Sequence, residues 1–226
     1  MKIIGISSSP KAKASNTLKL LNAALDGARE AGAETELIDV AKLKINFCKG
    51  DSSCYRTGKC FQDDEYCKFR DSIVAADGII FSAPNYIDNI PAQLKVAFDR
   101  SANFIHEQLL DGKYGFTIVT SGSASYDLVL RIMEDFVAKS GGMSTGRLGL
   151  AMAQGTDAAR AAEQNAREMG KDLVAAIKEK RAYPQQAAAR RAWREQFANT
   201  VKFNKDNWKH NYDLWVSKGW LNVNNK

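Results

Sequence analysis

The chain has 226 residues and a formal net charge of +6, from 32 Lys and Arg against 26 Asp and Glu. Its 45% apolar and 26% charged residues are typical of a globular protein and exclude collagen-like, disordered and fibrous repeat classes. No apolar run reaches the ~20 residues that a membrane-spanning helix needs. The apolar run at residues 3–6 is too short for a signal peptide, so we expect no membrane partner and a cytoplasmic location.

Apolar segments alternate with helical patterns along most of the chain. The predicted strands are 2–7, 34–40, 77–83, 113–120 and 147–152. One predicted helix begins near Ser15, and three others cover 92–104, 126–139 and 157–180. Residues 44–70 show little periodicity and predict a long loop. Continuous apolar strands joined by crossover helices are typical of a parallel sheet that is covered on both faces. We therefore predict an α/β fold, a doubly wound five-stranded parallel sheet formed by a domain of residues 1–180.

In such a sheet, ligands bind outside the carboxyl ends of the strands. The loop after the first strand offers hydroxyls and a helix N-terminus, which suit a phosphate group, although ordinary helix capping explains it equally well. Tyr86, in the loop after the third strand, could contact a flat heteroaromatic ring of a ligand. Alternatively, it could pack inward as part of a rigid turn. The loop after the fourth strand is small and polar. Walker and G-x-G-x-x-G patterns are absent from the sequence, which disfavours triphosphate and Rossmann dinucleotide sites.

The order of several short motifs adds a family resemblance. These motifs are Ser7-Ser8-Ser9-Pro10, Asn16-Thr17, Asp63-Asp64, Ala76-Asp77-Gly78-Ile79-Ile80, Pro84-Asn85-Tyr86, Ala92-Gln93-Leu94-Lys95 and Asp99-Arg100. In this order they resemble the NAD(P)H-dependent FMN reductase family, and within it the iron–sulfur flavoproteins. The resemblance covers roughly residues 1–180 and implies a flavodoxin-like fold that binds FMN.

The same resemblance implies a set of cofactor-binding residues. Ser7, Ser9, Ser15, Asn16 and Thr17 would surround the FMN phosphate, and Lys11 would offset its charge. Pro84, Asn85, Tyr86, Ile87, Asp88 and Asn89 would line the isoalloxazine, and Ser121, Gly122 and Ser123 would close its other side. Because the flavin carries the chemistry, no side chain is predicted to be catalytic. NADH or NADPH would be the reductant, a small molecule or a redox protein the acceptor, and the chain would form a homo-oligomer, either a dimer or a tetramer.

Four cysteines, Cys48, Cys54, Cys60 and Cys67, lie within twenty residues of one another. Iron–sulfur flavoproteins carry C-x2-C-x2-C and a later fourth Cys, whereas Asp51 occupies the second position here. Cys67 could supply the missing ligand if the loop folds suitably. We expect free thiols, with an iron–sulfur cluster unlikely, and a zinc site less likely still because paired C-x2-C motifs are missing.

Residues 181–226 carry the whole basic excess, nine Lys and Arg against three Asp and Glu, and all four tryptophans. The aromatic side chains must be buried against the same subunit or a second one, which predicts a helical, aromatic-rich C-terminal arm. No nucleic-acid partner is predicted, because no nucleic-acid-binding motif accompanies the charge.

The leading hypothesis from sequence is an FMN-dependent oxidoreductase that uses NAD(P)H to reduce a flavin, a quinone or another small acceptor. One alternative is an electron carrier of the iron–sulfur flavoprotein type that exchanges electrons with ferredoxin. The other is a non-catalytic flavodoxin-like binding module.

Overall fold

Five parallel strands form the centre of the computed structural model, which describes residues 1–221. They are β1 (Lys2–Ser7), β2 (Glu34–Asp39), β3 (Gly78–Pro84), β4 (Tyr114–Ser121) and β5 (Met143–Ala151). Their spatial order is β2-β1-β3-β4-β5. The order reverses at β1, so the predicted doubly wound, flavodoxin-like sheet is confirmed.

Nine helices accompany the sheet within residues 1–221. They are α1 (Asn16–Glu30), α2 (Ser53–Thr57), α3 (Tyr66–Ala75), α4 (Ala92–Arg100), α5 (Ala102–Glu107), α6 (Asp127–Lys139), α7 (Gly155–Glu179), α8 (Pro184–Phe203) and α9 (Lys209–Ser217). The prediction of one long loop over 44–70 is wrong, because that segment contains α2 and the first half of α3. Phe69 and Ile73 lie one turn apart and both are buried, which is the apolar face that anchors α3.

The sheet is covered on both faces, as alternate residues of β1 show. Ile3 packs among the side chains of α1 and α7, whereas Ile4 and Ile6 pack on the opposite face among those of α3, α4 and α6. Helices α1 and α7 approach closely at Gly27 and Gly170. A Cβ atom at Gly170 would overlap the backbone oxygen of Ala24, so glycine is required for this approach.

The C-terminal helices α8 and α9 pack against the body of the same subunit. Trp215 is fully buried and donates from Nε1 to the backbone oxygen of His106 at 2.6 Å. Gln186 bonds both the N–H and the carbonyl of Ser144 at 2.8 Å, so it pairs with the free edge of β5. This edge pairing accompanies the start of β5 at Met143, four residues earlier than predicted. Residues 222–226 of the predicted arm lie outside the described residues.

None of the helices within residues 1–221 combines the length and the hydropathy needed to cross a bilayer.

The close approach of α1 and α7 gives a stability prediction. Gly170→Ala should lower the free energy of unfolding by about 1–3 kcal/mol, because the added methyl group forces the two helices apart. Asn165→Ala, on the exposed face of α7, is the control and should change it by less than about 0.5 kcal/mol. Urea denaturation followed by circular dichroism measures both, and equal stability of the two variants would contradict the packing argument.

Candidate functional site

One cavity of about 370 Å³ lies at the carboxyl ends of the strands. Its lining residues come from the loops after β1, β3, β4 and β5: Ser9, Lys11, Ala14, Ser15, Asn16, Thr17, Pro84, Asn85, Tyr86, Thr120, Ser121, Gly122 and Met152. The volume lies at the small end of the roughly 300–1,000 Å³ typical of small-molecule sites. Ten of the fifteen residues predicted to bind the cofactor are therefore brought together.

The end of this cavity formed by the first loop is polar. Ser15 caps α1, because its Oγ accepts a hydrogen bond from the N–H of Leu18 at 3.1 Å. The other N–H groups of the first helical turn have no partner within the helix and carry its positive dipole. The hydroxyl of Thr17 bonds that of Thr120 across the cavity floor, and the exposed Lys11 adds a full positive charge. This end is suited to a dianion.

The loop after β3 forms the other end of the cavity and is a tight hairpin. Tyr86 and Asn89 exchange backbone hydrogen bonds of 2.9 and 3.1 Å, and Ile87 and Asp88 at the tip both have positive φ, of 53° and 52°. A β-branched residue in the left-handed region is strained, and the Ile87 side chain is also fully exposed. Strain of this kind collects at ligand sites. Tyr86 is 41% exposed and lines the cavity.

Asn85 connects the hairpin to the fourth loop. Its Nδ2 donates to Asp88 at 3.2 Å and to the backbone oxygen of Ser125. Its Oδ1 is buried and finds no hydrogen-bond partner in the described part of the chain, so this acceptor is available to a ligand. Hydrogen bonds from Ser125 and Asn85 hold the pKa of Asp88 below its usual value, and the carboxylate stays ionised.

Five predicted residues do not line this cavity. Ser7 is buried at the end of β1, which pairs with β2 and β3, and does not line the cavity. Ile87, Asp88 and Asn89 form the hairpin tip, and the side chain of Asn89 bonds the N–H of Ile90. Ser123 is exposed, with its N–H bonded to Ser121.

Three residues that line the cavity were not predicted from the sequence: Ala14, Thr120 and Met152. Thr120 lies beside Ser121 at the carboxyl end of β4, and this position could have indicated that it belongs to the site. Met152 follows β5, which neighbours β4, so the loop after the fifth strand should have been counted among the ligand loops.

A second, smaller cavity of about 130 Å³ lies under the cysteine-rich segment. Cys48, Cys54 and Cys60 line it together with Asp51, whereas Cys67 does not. Burial, followed by the neighbouring Cys60 and Cys48, raises the pKa of Cys54 to about 11. Within residues 1–221, no three His, Cys, Asp or Glu side chains converge closely enough for a single metal ion. The donors are thus spread around a cavity that is too small for an ordinary organic ligand.

A buried ion pair attaches this segment to the sheet. The side chains of Arg100 and Asp64 are 1% and 6% exposed and form two hydrogen bonds, of 2.6 and 3.2 Å. Arg100 also donates to the backbone oxygen of Asn46 at 2.9 Å and to Cys60 Sγ at 3.4 Å. Burial alone would raise the pKa of Asp64, but bonds from Arg100, Asn46 and Tyr66 outweigh it and hold the pKa low. The pair therefore joins the end of α4 to both sides of the cysteine segment.

The C-terminal arm packs on the outer side of the same segment. The ring of Tyr55, in α2, stacks on His106 at 4.0 Å, and Trp208 contacts both rings at 4.9 Å. Burial lowers the pKa of His106 to about 4, so this imidazole is neutral at physiological pH. Burial raises the pKa of Glu107, which lies 3.6 Å from His210, to about 7. The arm contributes to holding α2 in place and does not line the cavity at the carboxyl ends of the strands.

A further cavity, of about 730 Å³, lies along the edge strand β2 and is lined partly by Leu37, Leu43 and Phe69. It has no residue in common with the cysteine cavity or with the cavity at the carboxyl ends of the strands, so it is not part of the candidate site.

The sheet order defines a flavodoxin-like α/β protein with a cavity at the carboxyl edge of its sheet. The model of the NADPH-dependent FMN reductase family matches residues 1–157. The chain belongs to this family, and the resemblance found in the sequence is confirmed.

Two curated relatives are iron–sulfur flavoproteins. The chain is 37% identical over 119 residues to one from Archaeoglobus fulgidus. This match covers 53% of this chain and 54% of that protein. The chain is 40% identical over 124 residues to one from Methanosarcina thermophila, which covers 54% and 64%. The chain thus matches between about half and two thirds of each relative's length.

Among solved structures, an NAD(P)H:quinone oxidoreductase from Methanothermobacter marburgensis has a TM-score of 0.64 at 20% identity. The match covers 76% of this chain and 96% of that one. A flavone reductase has a TM-score of 0.65, also at 20% identity, and covers 79% and 63%. At this identity the two likenesses show the fold alone.

The ion pair gives a prediction with a neighbouring control. Asp64→Asn should lower the free energy of unfolding by about 3 kcal/mol, the low end for a broken buried pair, because the amide keeps some hydrogen bonds. Asp63→Asn changes an exposed residue and should alter it by less than about 0.5 kcal/mol. Urea denaturation measures both.

The same comparison has a defined pH dependence. Because the folded pKa of Asp64 is depressed, its contribution is complete above the unfolded value of about 3.9. The difference between wild type and Asp64→Asn should therefore shrink as the pH falls through the folded pKa. A difference that stays constant down to the acid limit would show that the charge of Asp64 is not responsible.

Proposed function

We propose that this protein is an FMN-dependent oxidoreductase that takes hydride from NADH or NADPH and reduces a flavin, a quinone or another small acceptor. The observation that carries the proposal is the convergence of four strand-end loops on one cavity with a polar, positively charged end and an aromatic end. Membership of the FMN reductase family supports the same assignment.

The residues around the cavity fit FMN. Ser9, Lys11, Ser15, Asn16 and Thr17 would hold the phosphate with hydroxyls, helix N–H groups and one ammonium. The unpaired Oδ1 of Asn85 would accept a hydrogen bond from the ring, and Tyr86 would cover part of the ring surface. When bound, FMN supplies hydride acceptance and electron transfer, so the protein needs only to hold and orient the reacting rings.

The first test is an absorption spectrum of the purified chain, taken without oxygen before and after addition of NADH or NADPH. Two flavin bands that bleach on addition of either nucleotide support the proposal and identify the preferred reductant. A colourless protein that FMN cannot reconstitute would overturn it.

The phosphate end is tested by Thr17→Val, which keeps the shape of the side chain and removes its hydroxyl. FMN affinity should fall about tenfold or more, because a hydrogen bond to a charged group contributes about 1.5–3 kcal/mol. Riboflavin, which lacks the phosphate, should bind the variant and the wild type equally well. Quenching of flavin fluorescence during titration of the apoprotein measures both affinities.

Thr117→Val is the matched control for this titration. Thr117 is buried in β4 away from the cavity, and its hydroxyl has no hydrogen-bond partner within residues 1–221. The control variant should bind FMN as the wild type does. Equal weakening of FMN and riboflavin by Thr17→Val would show that Thr17 does not contact the phosphate.

The cysteine cavity favours a second candidate function, an electron carrier in which an iron–sulfur cluster accompanies the flavin and a redox protein such as ferredoxin is the partner. Three thiols and a carboxylate line one compact cavity, and two curated relatives carry iron–sulfur flavoprotein in their names. Zn–S bonds of about 2.3 Å would require the sulfurs to converge on one point, whereas a cluster spreads its ligands over several irons. We therefore revise the expectation of free thiols towards a cluster. The homo-oligomeric state and the cytoplasmic location predicted from sequence stay predictions.

A further inference from the structure

We infer that Asp51 completes the donor set at the cysteine cavity, and that the iron bound by Asp51 exchanges more readily than the other irons of the cluster. The inference rests on the second candidate function and concerns only the residues of this chain that would hold the cluster.

The backbone brings Asp51 to the same cavity as the three thiols. Gly50 and Ser52 on either side of it both have left-handed φ, of 65° and 60°, which wraps the chain between Cys48 and Cys54 around the cavity. The N–H of Gly50 lies 3.4 Å from Cys48 Sγ, a backbone contact of the kind that stabilises a bound thiolate. The Asp51 side chain is 39% exposed and lines the cavity, with its Oδ1 accepting a hydrogen bond from Ser53 Oγ at 3.3 Å and its Oδ2 lying 4.0 Å from Arg56.

Cys67 is not assigned to the donor set, although Tyr66 and Arg70 on the same helix line the cavity. It is part of the first turn of α3, and its Sγ lies 4.0 Å from the backbone oxygen of Gln62. It does not contribute to the cavity lining, whereas Asp51 does. The suggestion from sequence that Cys67 replaces the missing cysteine is therefore not supported by its position.

The surroundings of the cavity suit a strongly anionic group. Arg70 and Arg100 both line it, and Arg100 already donates to Cys60. The Nε of Arg100 is buried without a hydrogen-bond partner in the described part of the chain. Arg100 is paired with Asp64 and Arg70 with Asp71, so the two guanidinium groups offset part of the charge that three thiolates and a carboxylate concentrate.

The type of donor atom determines how firmly each iron of the cluster is held. Thiolates are soft ligands that hold cluster iron firmly, whereas a carboxylate oxygen is hard and binds the same iron less strongly. Mild oxidation should then release the iron at Asp51: [4Fe–4S]²⁺ gives [3Fe–4S]⁺, one Fe²⁺ and one electron. Ferricyanide, supplied as the oxidant, takes the electron, and the iron leaves as its Fe–O bond to Asp51 and its three bonds to the cluster sulfides break.

The experiment compares four full-length proteins loaded with FMN and reconstituted without oxygen from ferrous iron and sulfide: wild type, Asp51→Cys, Asp51→Ala and Cys67→Ser. Each is oxidised with one equivalent of ferricyanide, and iron, sulfide and the low-temperature EPR spectrum are recorded. Wild type and Cys67→Ser should each lose one iron in four and show the signal of the oxidised three-iron cluster. Addition of ferrous iron and a reductant should restore the four-iron form.

The two Asp51 variants give the contrast. Asp51→Cys should keep all its iron under the same treatment, and Asp51→Ala should hold three irons from the start. Loss of the four-iron form in Cys67→Ser, with Asp51→Ala unchanged from wild type, would assign the ligand to Cys67 and overturn the inference. If neither wild type nor Asp51→Cys takes up iron and sulfide while both bind FMN, the cluster itself is refuted and the flavin proposal stands.

Discussion

The buried pair of Arg100 and Asp64 is the constraint on which the arrangement of the cysteine segment depends. Residues 44–65 contribute few apolar side chains to the core, so polar bonds must hold them against the domain. One guanidinium supplies most of these bonds, to a carboxylate, a backbone oxygen and a thiol. A buried charge must be paired, and its need for several partners fixes the geometry of the loop that supplies them.

This constraint also relates the two cavities. Helix α4 begins at Ala92, directly after the strained hairpin at the larger cavity, and ends at Arg100, which lines the smaller one. Its nine residues rise about 13 Å in all. A single short helix, packed on the sheet through Leu94 and Ala97, thus sets the spacing between the two sites. The arm holds the opposite side of the cysteine segment through Tyr55 and Trp208, so that α2 lies between two anchors.

The sequence predicted what depends on local pattern. Apolar runs and helix starts gave the five strands and the ligand loops, because burial in a parallel sheet leaves a continuous apolar signal. The burial of Ser7 agrees with the predicted strand, but no local pattern shows that its side chain does not line the cavity. The backbone conformation of the hairpin tip was not predictable for another reason. Ile87 has a left-handed, strained conformation, and sequence patterns favour unstrained conformations.

The structures of the cysteine segment and of the arm depend on tertiary contacts, which the hydrophobic periodicity of the sequence does not reveal. Helix α3 was not predicted because only Tyr66, Phe69 and Ile73 mark its buried face among charged and polar neighbours. The aromatic composition of the arm predicted that it would be buried, but not that Trp215 would reach the backbone of His106. Side chains 109 residues apart meet there, and only the fold brings them together.

All four tryptophans of the chain stand in the arm, at positions 193, 208, 215 and 220, and the domain that carries the sheet has none. The intrinsic indole emission therefore comes from the arm alone. Trp215 is fully buried, Trp220 lies under the guanidinium of Arg194 at 4.1 Å, and Trp208 touches the helix that carries Cys54. The molecule thus carries its own optical reporter, one that senses the packing of the arm beside the cysteine segment.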